Sequence, residues 1–201
     1  MFGIALTLQA QEYSADLITR PSNGTAQKGK LYHTANKDRF DSFVDTPQYL
    51  RAPGEKPVLT ETRMITDRQQ KLIYLVEPQQ KLILVNYALQ MKKDPPAGNS
   101  GGNPCDDFAK VLGPTLGSNG CKQVGPETVS GRSAVKWEMQ IRTLTGQAGT
   151  GTVWVDSQLK TAIKWLSTSG DSGELQNIQV GPQPASLFVL PADYRRQDLP
   201  H

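Results

Sequence analysis

The side chains that could support catalysis are few, and each fits a structural role. His33 lies in a strand-like segment, and the only other histidine is the terminal His201. With no second useful histidine, we expect His33 to be a surface or core residue of a strand. Asp106 and Asp107 are adjacent acids at a predicted helix start, where capping and solvation are commoner roles than acid–base catalysis. The chain is therefore predicted not to be an enzyme, and a hydrolase is the third hypothesis.

The sequence also lacks the usual patterns of cofactor, metal and nucleic-acid sites. Residues 146–151 are rich in glycine, but they lie between two predicted strands, whereas a dinucleotide-binding loop precedes a helix. We predict a hairpin loop there and no cofactor. With two histidines and two cysteines in the chain, no metal site is expected. The 22 basic and 19 acidic residues are scattered singly and give a net charge of +3, which does not favour nucleic acid as a partner.

The two cysteines, Cys105 and Cys121, predict a disulfide bond. An even pair that closes a short loop in an exported protein is usually oxidised, and a loop of ~15 residues stabilises the fold by about 3 kcal/mol in the chain-entropy account. A redox role is the weaker alternative because the spacing differs from Cys-x-x-Cys. Between the cysteines, residues 106–112 predict a short helix that ends at Gly113-Pro114.

The first ten residues are apolar and uncharged, and we interpret residues 1–10 as the remnant of a secretory signal peptide. Leu8-Gln9-Ala10 resembles a small-residue cleavage site, and the segment is too short to span a bilayer, which takes ~20 apolar residues. An ordinary first strand is the alternative. Residues 11–201 are then predicted to form a single domain, since 201 residues suit one large domain.

Most of the remaining chain alternates between strand-like and turn-like segments. Two segments rich in proline and glycine, 46–57 and 94–103, are predicted loops, and the second could separate two domains. We prefer one sheet interrupted by a loop, because neither half has enough helix to cover itself. The predicted strands are 13–19, 29–34, 39–44, 61–66, 72–76, 82–85, 122–124, 133–144, 150–156, 161–167 and 173–180, with a short helical turn within 181–188.

This pattern predicts a mainly β (α+β) fold with a large antiparallel sheet. Such a sheet is curved because strands twist, so we expect an unclosed half-barrel with a few short helices on its concave side. A sandwich is the alternative, but no long Greek-key connection is evident. The strands 72–76 and 82–85 are apolar on both faces, which is typical of strands that are central or covered on both sides.

An apolar stripe on the later strands is the candidate binding surface. Residues 134–142 alternate between apolar and polar side chains, as a strand with one buried face does. Two tryptophans on neighbouring strands add a large apolar area. This surface either fills a core or lines a cavity. Composition alone favours a packed core, whereas a curved sheet with few helices has enough concave area to leave a cavity that would suit acyl chains. The predicted cavity-lining residues are Trp137, Met139, Ile141, Trp154, Trp165 and Leu175.

Several segments of the C-terminal half resemble the periplasmic lipoprotein-sorting carriers and receptors of the LolA/LolB superfamily. The similar segments are the Trp-x-Asp strand 151–156, the strand 161–165, the Asn-Ile strand 174–180 and the Leu-Phe element 187–191 before a proline. The hairpin from Lys71 to Tyr87 is similar in layout. The chain departs from the family in lacking a long early helix, and its cysteine-flanked segment looks like that of an uncharacterised branch.

The resemblance implies an unclosed antiparallel sheet around an apolar cavity for lipoprotein acyl chains, in the periplasm of a diderm bacterium. The leading hypothesis is therefore a monomeric, non-enzymatic protein that binds lipid or lipoprotein acyl chains, with a role in lipoprotein trafficking to the outer membrane. The alternative is an envelope sensor or scaffold that binds another protein through its sheet. The doubly apolar hairpin 72–85 favours that alternative.

Overall fold

Twelve β-strands form one sheet in the computed structural model, which describes residues 11–22, 26–45, 59–87, 104–105, 121–142 and 148–199. The strands are β1 Tyr13–Arg20, β2 Gln27–His33, β3 Lys37–Asp45, β4 Leu59–Asp67, β5 Leu72–Glu77, β6 Leu82–Asn86, β7 Cys121–Val129, β8 Arg132–Arg142, β9 Ala148–Asp156, β10 Ala162–Ser167, β11 Ser172–Val180 and β12 Arg195–Asp198.

The spatial order is β12-β6-β5-β4-β3-β2-β1-β11-β10-β9-β8-β7. Every neighbouring pair is antiparallel except β12, which runs parallel to β6. The two edge strands, β12 and β7, do not pair with each other, so the curved sheet is unclosed. Pairing of β1 with β11 joins the first six strands to the later ones. The predicted large, mainly antiparallel, unclosed sheet is confirmed.

The prediction of a few short helices is not confirmed, because the described residues contain no helix of seven residues or more. They contain two 3-10 turns, Pro78–Gln80 and Ala185–Phe188, and the second matches the helical turn expected within 181–188. No described helix is long and apolar enough to cross a membrane. The proposed signal remnant 1–10, the loops 46–57 and 94–103 and the helix 106–112 lie outside the described residues.

The buried residues form three clusters along the sheet. The first joins β1 to strands β7–β11 and comprises Tyr13, Ala15, Val129, Ala134, Trp154, Leu159, Ile163 and Leu175. The second lies between β4–β6 and the segment after β11, and comprises Ile65, Tyr74, Val76, Ile83, Val85 and Phe188. The third comprises Met139, Val153 and Val155, with Cys121, Trp137 and Trp165 packed against it.

A buried ion pair fixes the turn after β9. Asp156 is 1% exposed and accepts hydrogen bonds from Arg132 Nε at 2.5 Å and from the backbone N–H groups of Gln158 and Leu159 at 2.8 and 2.7 Å. Burial raises the pKa of the Asp156 carboxyl, but the hydrogen bonds from Arg132 and the two N–H groups outweigh it, so the pKa lies below its usual value. The turn therefore depends on the ionised carboxylate.

Candidate functional site

The predicted cavity-lining residues do not form one surface. Lys136 pairs with Trp154 across β8 and β9, whereas Trp137 pairs with Val153. Since adjacent residues of a strand point to opposite faces, Trp137 and Trp154 lie on opposite faces of the sheet. Trp165 also pairs with Val153 and so shares the face of Trp137.

Of the other three predicted residues, Leu175 belongs to the first cluster with Trp154, and Met139 belongs to the third cluster. For Ile141, only the backbone is described, and it pairs with Gly149. The structure thus distributes the predicted set over two clusters. Their role in lining a cavity remains a prediction.

Trp154 is covered by charged side chains. Its indole is 6% exposed, and Nε1 donates a hydrogen bond to Glu127 Oε2 at 2.9 Å. The ammonium groups of Lys136 and Lys164 lie 5.4 and 5.1 Å from the ring centroid, within the range of cation–π contact. The ring is therefore part of a packed core whose polar cover is made of lysine and glutamate.

Trp165 packs flat on the neighbouring strand above Gly173. A Cβ atom at Gly173 would overlap the Trp165 ring, so the contact requires a residue without a side chain. On the same face, Trp137 Nε1 is buried and has no hydrogen-bond partner among the described residues. These contacts also describe a packed cluster.

A pocket of about 500 Å³ lies elsewhere, across β11, β1, β2, β3 and β4. Its volume falls within the roughly 300–1,000 Å³ of typical small-ligand sites. Phe43 is 57% exposed there, and Ile18 supplies a second apolar side chain that is largely buried. The lining residues are Asp16, Ile18, Lys28, Gly29, Lys30, Asp41, Ser42, Phe43, Glu61, Gln176 and Asn177.

Strand register explains why these side chains meet. Asp16 pairs with Lys30 across β1 and β2, and Lys30 pairs with Asp41 across β2 and β3, which gives one row of charges. Ile18 pairs with Lys28, and Phe43 pairs with Glu61, two residues further along the same face. The pocket thus places an apolar row beside a charged row.

Each carboxylate in the pocket already has a cation. Asp16 accepts from Lys30 Nζ at 2.9 Å and from Asn177 Nδ2 at 2.7 Å. These hydrogen bonds, first from Asn177 and then from Lys30, hold the pKa of Asp16 below its usual value. Asp41 is bound by two nitrogens of Arg39, at 2.7 Å each.

The third pocket carboxylate, Glu61, accepts from Arg63 Nε and Nη2 at 2.9 and 2.7 Å. Both nitrogens contact the same oxygen, Oε1. All three acids of the pocket are therefore neutralised locally by side chains of their own or neighbouring strands.

His33 is a buried structural residue, as expected. It is 7% exposed, stacks on Tyr13 with ring centroids 4.9 Å apart, and Nδ1 lies 2.6 Å from Asp38 Oδ1. Arg68 contacts the other oxygen of Asp38. Burial raises the pKa of the Tyr13 hydroxyl to about 12, so the ring stays neutral. Within the described part of the chain, no serine or cysteine is hydrogen-bonded to the His33 ring, and no group of three or more metal-ligating side chains occurs.

The predicted disulfide is confirmed, since Cys105 and Cys121 are bonded. It attaches residue 105 to the first residue of edge strand β7. Near this edge lies a second, smaller pocket of about 300 Å³, formed by β7, β8 and β9. Of the predicted cavity-lining residues, Met139 borders the smaller pocket.

The alternation of residues in β3 does not reveal which of its faces lines the pocket. In β3, Arg39, Asp41 and Phe43 share one face and Phe40 and Ser42 the other, so each face carries one aromatic among polar residues. That pattern does not distinguish a core face from an exposed one. The usable signal was the row of opposite charges at register positions in β1, β2 and β3, which needs the strand pairing to be known.

No protein-family model matches the chain, and no curated protein matches its sequence. Solved structures do show similarity. MucB matches with a TM-score of 0.53 and 11% identity over 93% of this chain. The complex of MucA and MucB from Pseudomonas aeruginosa matches with a TM-score of 0.53 and 12% identity. PNGF-II matches with a TM-score of 0.50 and 10% identity over 94% of this chain.

The chain spans 60% of the MucB structure and 31% of PNGF-II. A LolA superfamily protein from Nitrosomonas europaea is also among the similar structures. It matches with a TM-score of 0.32 and 8% identity over 91% of each chain. At these identities the similarity concerns the fold alone. The similarity of fold is supported by MucB, whose TM-score exceeds 0.5.

Proposed function

We propose that the protein is a non-enzymatic binding protein of the bacterial periplasm that holds a lipid or the acyl chains of a lipoprotein. The observation that carries this proposal is the pocket of about 500 Å³ in which exposed Phe43 and the largely buried Ile18 adjoin a row of charges. An amphiphile has the same division into apolar and polar parts. Each methylene that leaves water for such a site contributes about 0.8 kcal/mol.

The proposed site differs from the one expected from the tryptophans. Trp154 is covered by lysines and Trp165 packs against Gly173, whereas Phe43 offers its ring to solvent. An exposed aromatic in a concave site is available to a ligand without rearrangement of the core. We therefore assign the acyl-binding role to Phe43 and Ile18.

Native mass spectrometry with a fluorescent long-chain fatty acid tests the proposal. We expect one ligand per chain for the unmodified protein and at least a tenfold weaker affinity for Phe43→Asp, since burial of a carboxylate beside an acyl chain is costly. Val124→Asp is the matched control, because Val124 is an exposed apolar residue, 49% exposed, on distant β7. Absence of uptake by the unmodified protein, or equal affinities for both variants, would overturn the proposal.

A second candidate function is the binding of a partner protein, as MucB is seen in complex with MucA. The specific observation is a row of apolar residues on the face opposite the pocket. Phe40 pairs with Met64, Met64 with Leu75, and Leu75 with Leu84. Met64 is 41% exposed, so this row is incompletely covered by the described chain.

Site-specific photo-crosslinking in the native host tests the second candidate. A photoreactive residue at position 64 would capture a defined protein, whereas one at exposed Val189 would not. The same pattern at both positions, or no product at position 64, would contradict a partner on this face. Loss of fatty-acid uptake by Phe43→Asp would leave the result of this experiment unchanged, so the two candidates are separable.

A further inference from the structure

The charges of the pocket leave one cation unmatched. Asp16, Asp41 and Glu61 each accept hydrogen bonds from a basic side chain. Lys28 lines the same pocket and is exposed, and its ammonium makes no hydrogen bond or ion pair with any of the described residues. The hydrogen bonds from Asn177 and Lys30 are the main causes of the lowered pKa of Asp16, and the positive charge of Lys28 adds to them. The lining alone carries three carboxylates and two ammonium groups. When Arg39 and Arg63, which pair with Asp41 and Glu61 from outside the lining, are counted as well, one positive charge is in excess, and that charge is the Lys28 ammonium.

The position of Lys28 relates this charge to the apolar row. Lys28 pairs with Ile18 across β1 and β2. The next residue, Gly29, pairs with Ser42 across β2 and β3, and continuing this register by one residue places Lys28 opposite Phe43. The ammonium is thus carried by the strand between the two apolar side chains of the pocket. A ligand whose chain contacts Ile18 and Phe43 would have its head group within reach of Lys28.

Resting on the proposed acyl-binding function, we infer that the pocket selects amphiphiles with an anionic head group and that Lys28 contacts that group. A neutral or cationic head would leave the ammonium uncompensated or repel it. The Arg39 and Arg63 guanidinium groups are already occupied by Asp41 and Glu61, so they do not compete for the ligand. The shared chemistry is an anionic oxygen group, which a fatty-acid carboxylate and a lipid phosphate both supply.

Displacement of a neutral fluorescent acyl probe by hexadecanoate, hexadecyl phosphate and hexadecanol tests the inference. Charge-assisted contacts are stronger than neutral ones, so we expect at least one anionic ligand to bind about tenfold more tightly than hexadecanol. The two anionic arms show whether carboxylate or phosphate is preferred. The preference should weaken at high salt because Lys28 is exposed.

Two variants of Lys28 and one control identify the responsible group. Lys28→Gln should bring the anionic ligand to the affinity of hexadecanol, and Lys28→Arg should retain the preference. Lys122→Gln, an exposed lysine on β7, should behave as the unmodified protein.

Equal binding of the anionic ligands and hexadecanol, or an undiminished preference in Lys28→Gln, would overturn the inference while leaving the proposed function intact. Failure of the protein to bind the neutral probe at all would instead contradict the proposed function. Circular dichroism of each variant verifies the fold before binding is compared.

Discussion

The tryptophan-bearing strands β8–β10 and the pocket-forming strands β1–β3 use aromatic side chains in opposite ways. In the first region, Trp154 is 6% exposed beneath two lysines, and Trp165 lies on Gly173. In the second region, Phe43 is 57% exposed and borders a pocket. The larger aromatics stabilise the sheet, and the smaller one is available for binding. Size and hydrophobicity of a side chain therefore did not indicate the site; exposure on a concave, partly charged surface did.

The charged side chains also have different roles in the two regions. Around Trp154, Lys136 and Lys164 contact the ring and so serve the core. Around Phe43, the acids are paired and Lys28 is left without a partner among the described residues. The first arrangement is complete without a ligand, and the second gains a contact when an anion is bound.

Trp154→Ala should give the largest loss of stability. Removing a buried tryptophan costs about 3–5 kcal/mol, because the cavity is only partly refilled. Phe43→Ala should cost under about 1 kcal/mol, as is usual for exposed side chains, and should lower acyl-probe affinity instead. Urea unfolding and probe titration measure the two effects. A folded Trp154→Ala protein with affinity as weak as Phe43→Ala would break the distinction between the regions.

Asp156→Ala should come next, with a loss of about 3 kcal/mol, because it leaves Arg132 and two backbone N–H groups without their acceptor. The folded pKa of Asp156 is depressed, so its contribution is complete above the unfolded value of about 3.9 and is lost as the pH falls through the folded pKa. Unfolding measured from neutral to acidic pH should therefore show a smaller loss for Asp156→Ala than for the unmodified protein. Parallel curves would refute this origin of the acid sensitivity.

Gly173→Ala and Gly29→Ala test how each region tolerates an added methyl group on its backbone. Added methyl groups would overlap the ring of Trp165 in one case and that of Phe40 in the other, and overpacking of this kind costs about 1–3 kcal/mol. The methyl at Gly29 would project to the face of Phe40, 2.7 Å from the Asp41 carbonyl oxygen, so relief of the overlap would displace the strand backbone behind the pocket. Both variants should melt at lower temperature, but only Gly29→Ala should also weaken probe binding. Equal affinities would show that the pocket tolerates the shift.

Asp16→Asn should have the smallest effect on stability. Its ion pair with Lys30 is 35–40% exposed, and such pairs contribute roughly 0–1 kcal/mol. Removal of the negative charge leaves Lys30 as a second unmatched ammonium, so the affinity for an anionic amphiphile should rise while that for hexadecanol stays unchanged. Lys81→Gln, which removes one partner of an exposed ion pair distant from the pocket, is the control. A fall in anionic-ligand affinity would contradict this account of the pocket charge.

The strands were largely predictable because their residues alternate or are continuously apolar. The strand expected at 133–144 is observed as Arg132–Arg142, and the one expected at 173–180 as Ser172–Val180. β12 was missed since its four residues, Arg195 to Asp198, are all polar and exposed. β7 is longer than the predicted strand 122–124, because the structure accommodates Gly125 at an irregularity in the pairing with β8 and the strand continues to Val129.

The site was not predictable in the same way, because it depends on register. Trp137 and Trp154 both belong to alternating strands, but a pairing offset of one residue decides whether they share a face. The observed register places Lys136 opposite Trp154, which separates the two indoles. The pocket, likewise, needs β1, β2 and β11 to be neighbours, and β11 lies far from β1 in the sequence.

The parallel pairing of β12 with β6 has a consequence for the newly made chain. β6 is apolar on both faces, and without β12 its backbone would form an open edge able to pair with another molecule. β12 covers that edge, and its own four residues are polar and exposed, which disfavours pairing with the strand of another chain. Because β12 follows β6 only after five further strands, the outer edge of the hairpin 72–86 stays unpaired until all five have been synthesised. A molecule truncated before Arg195 should therefore self-associate even though its pocket is complete.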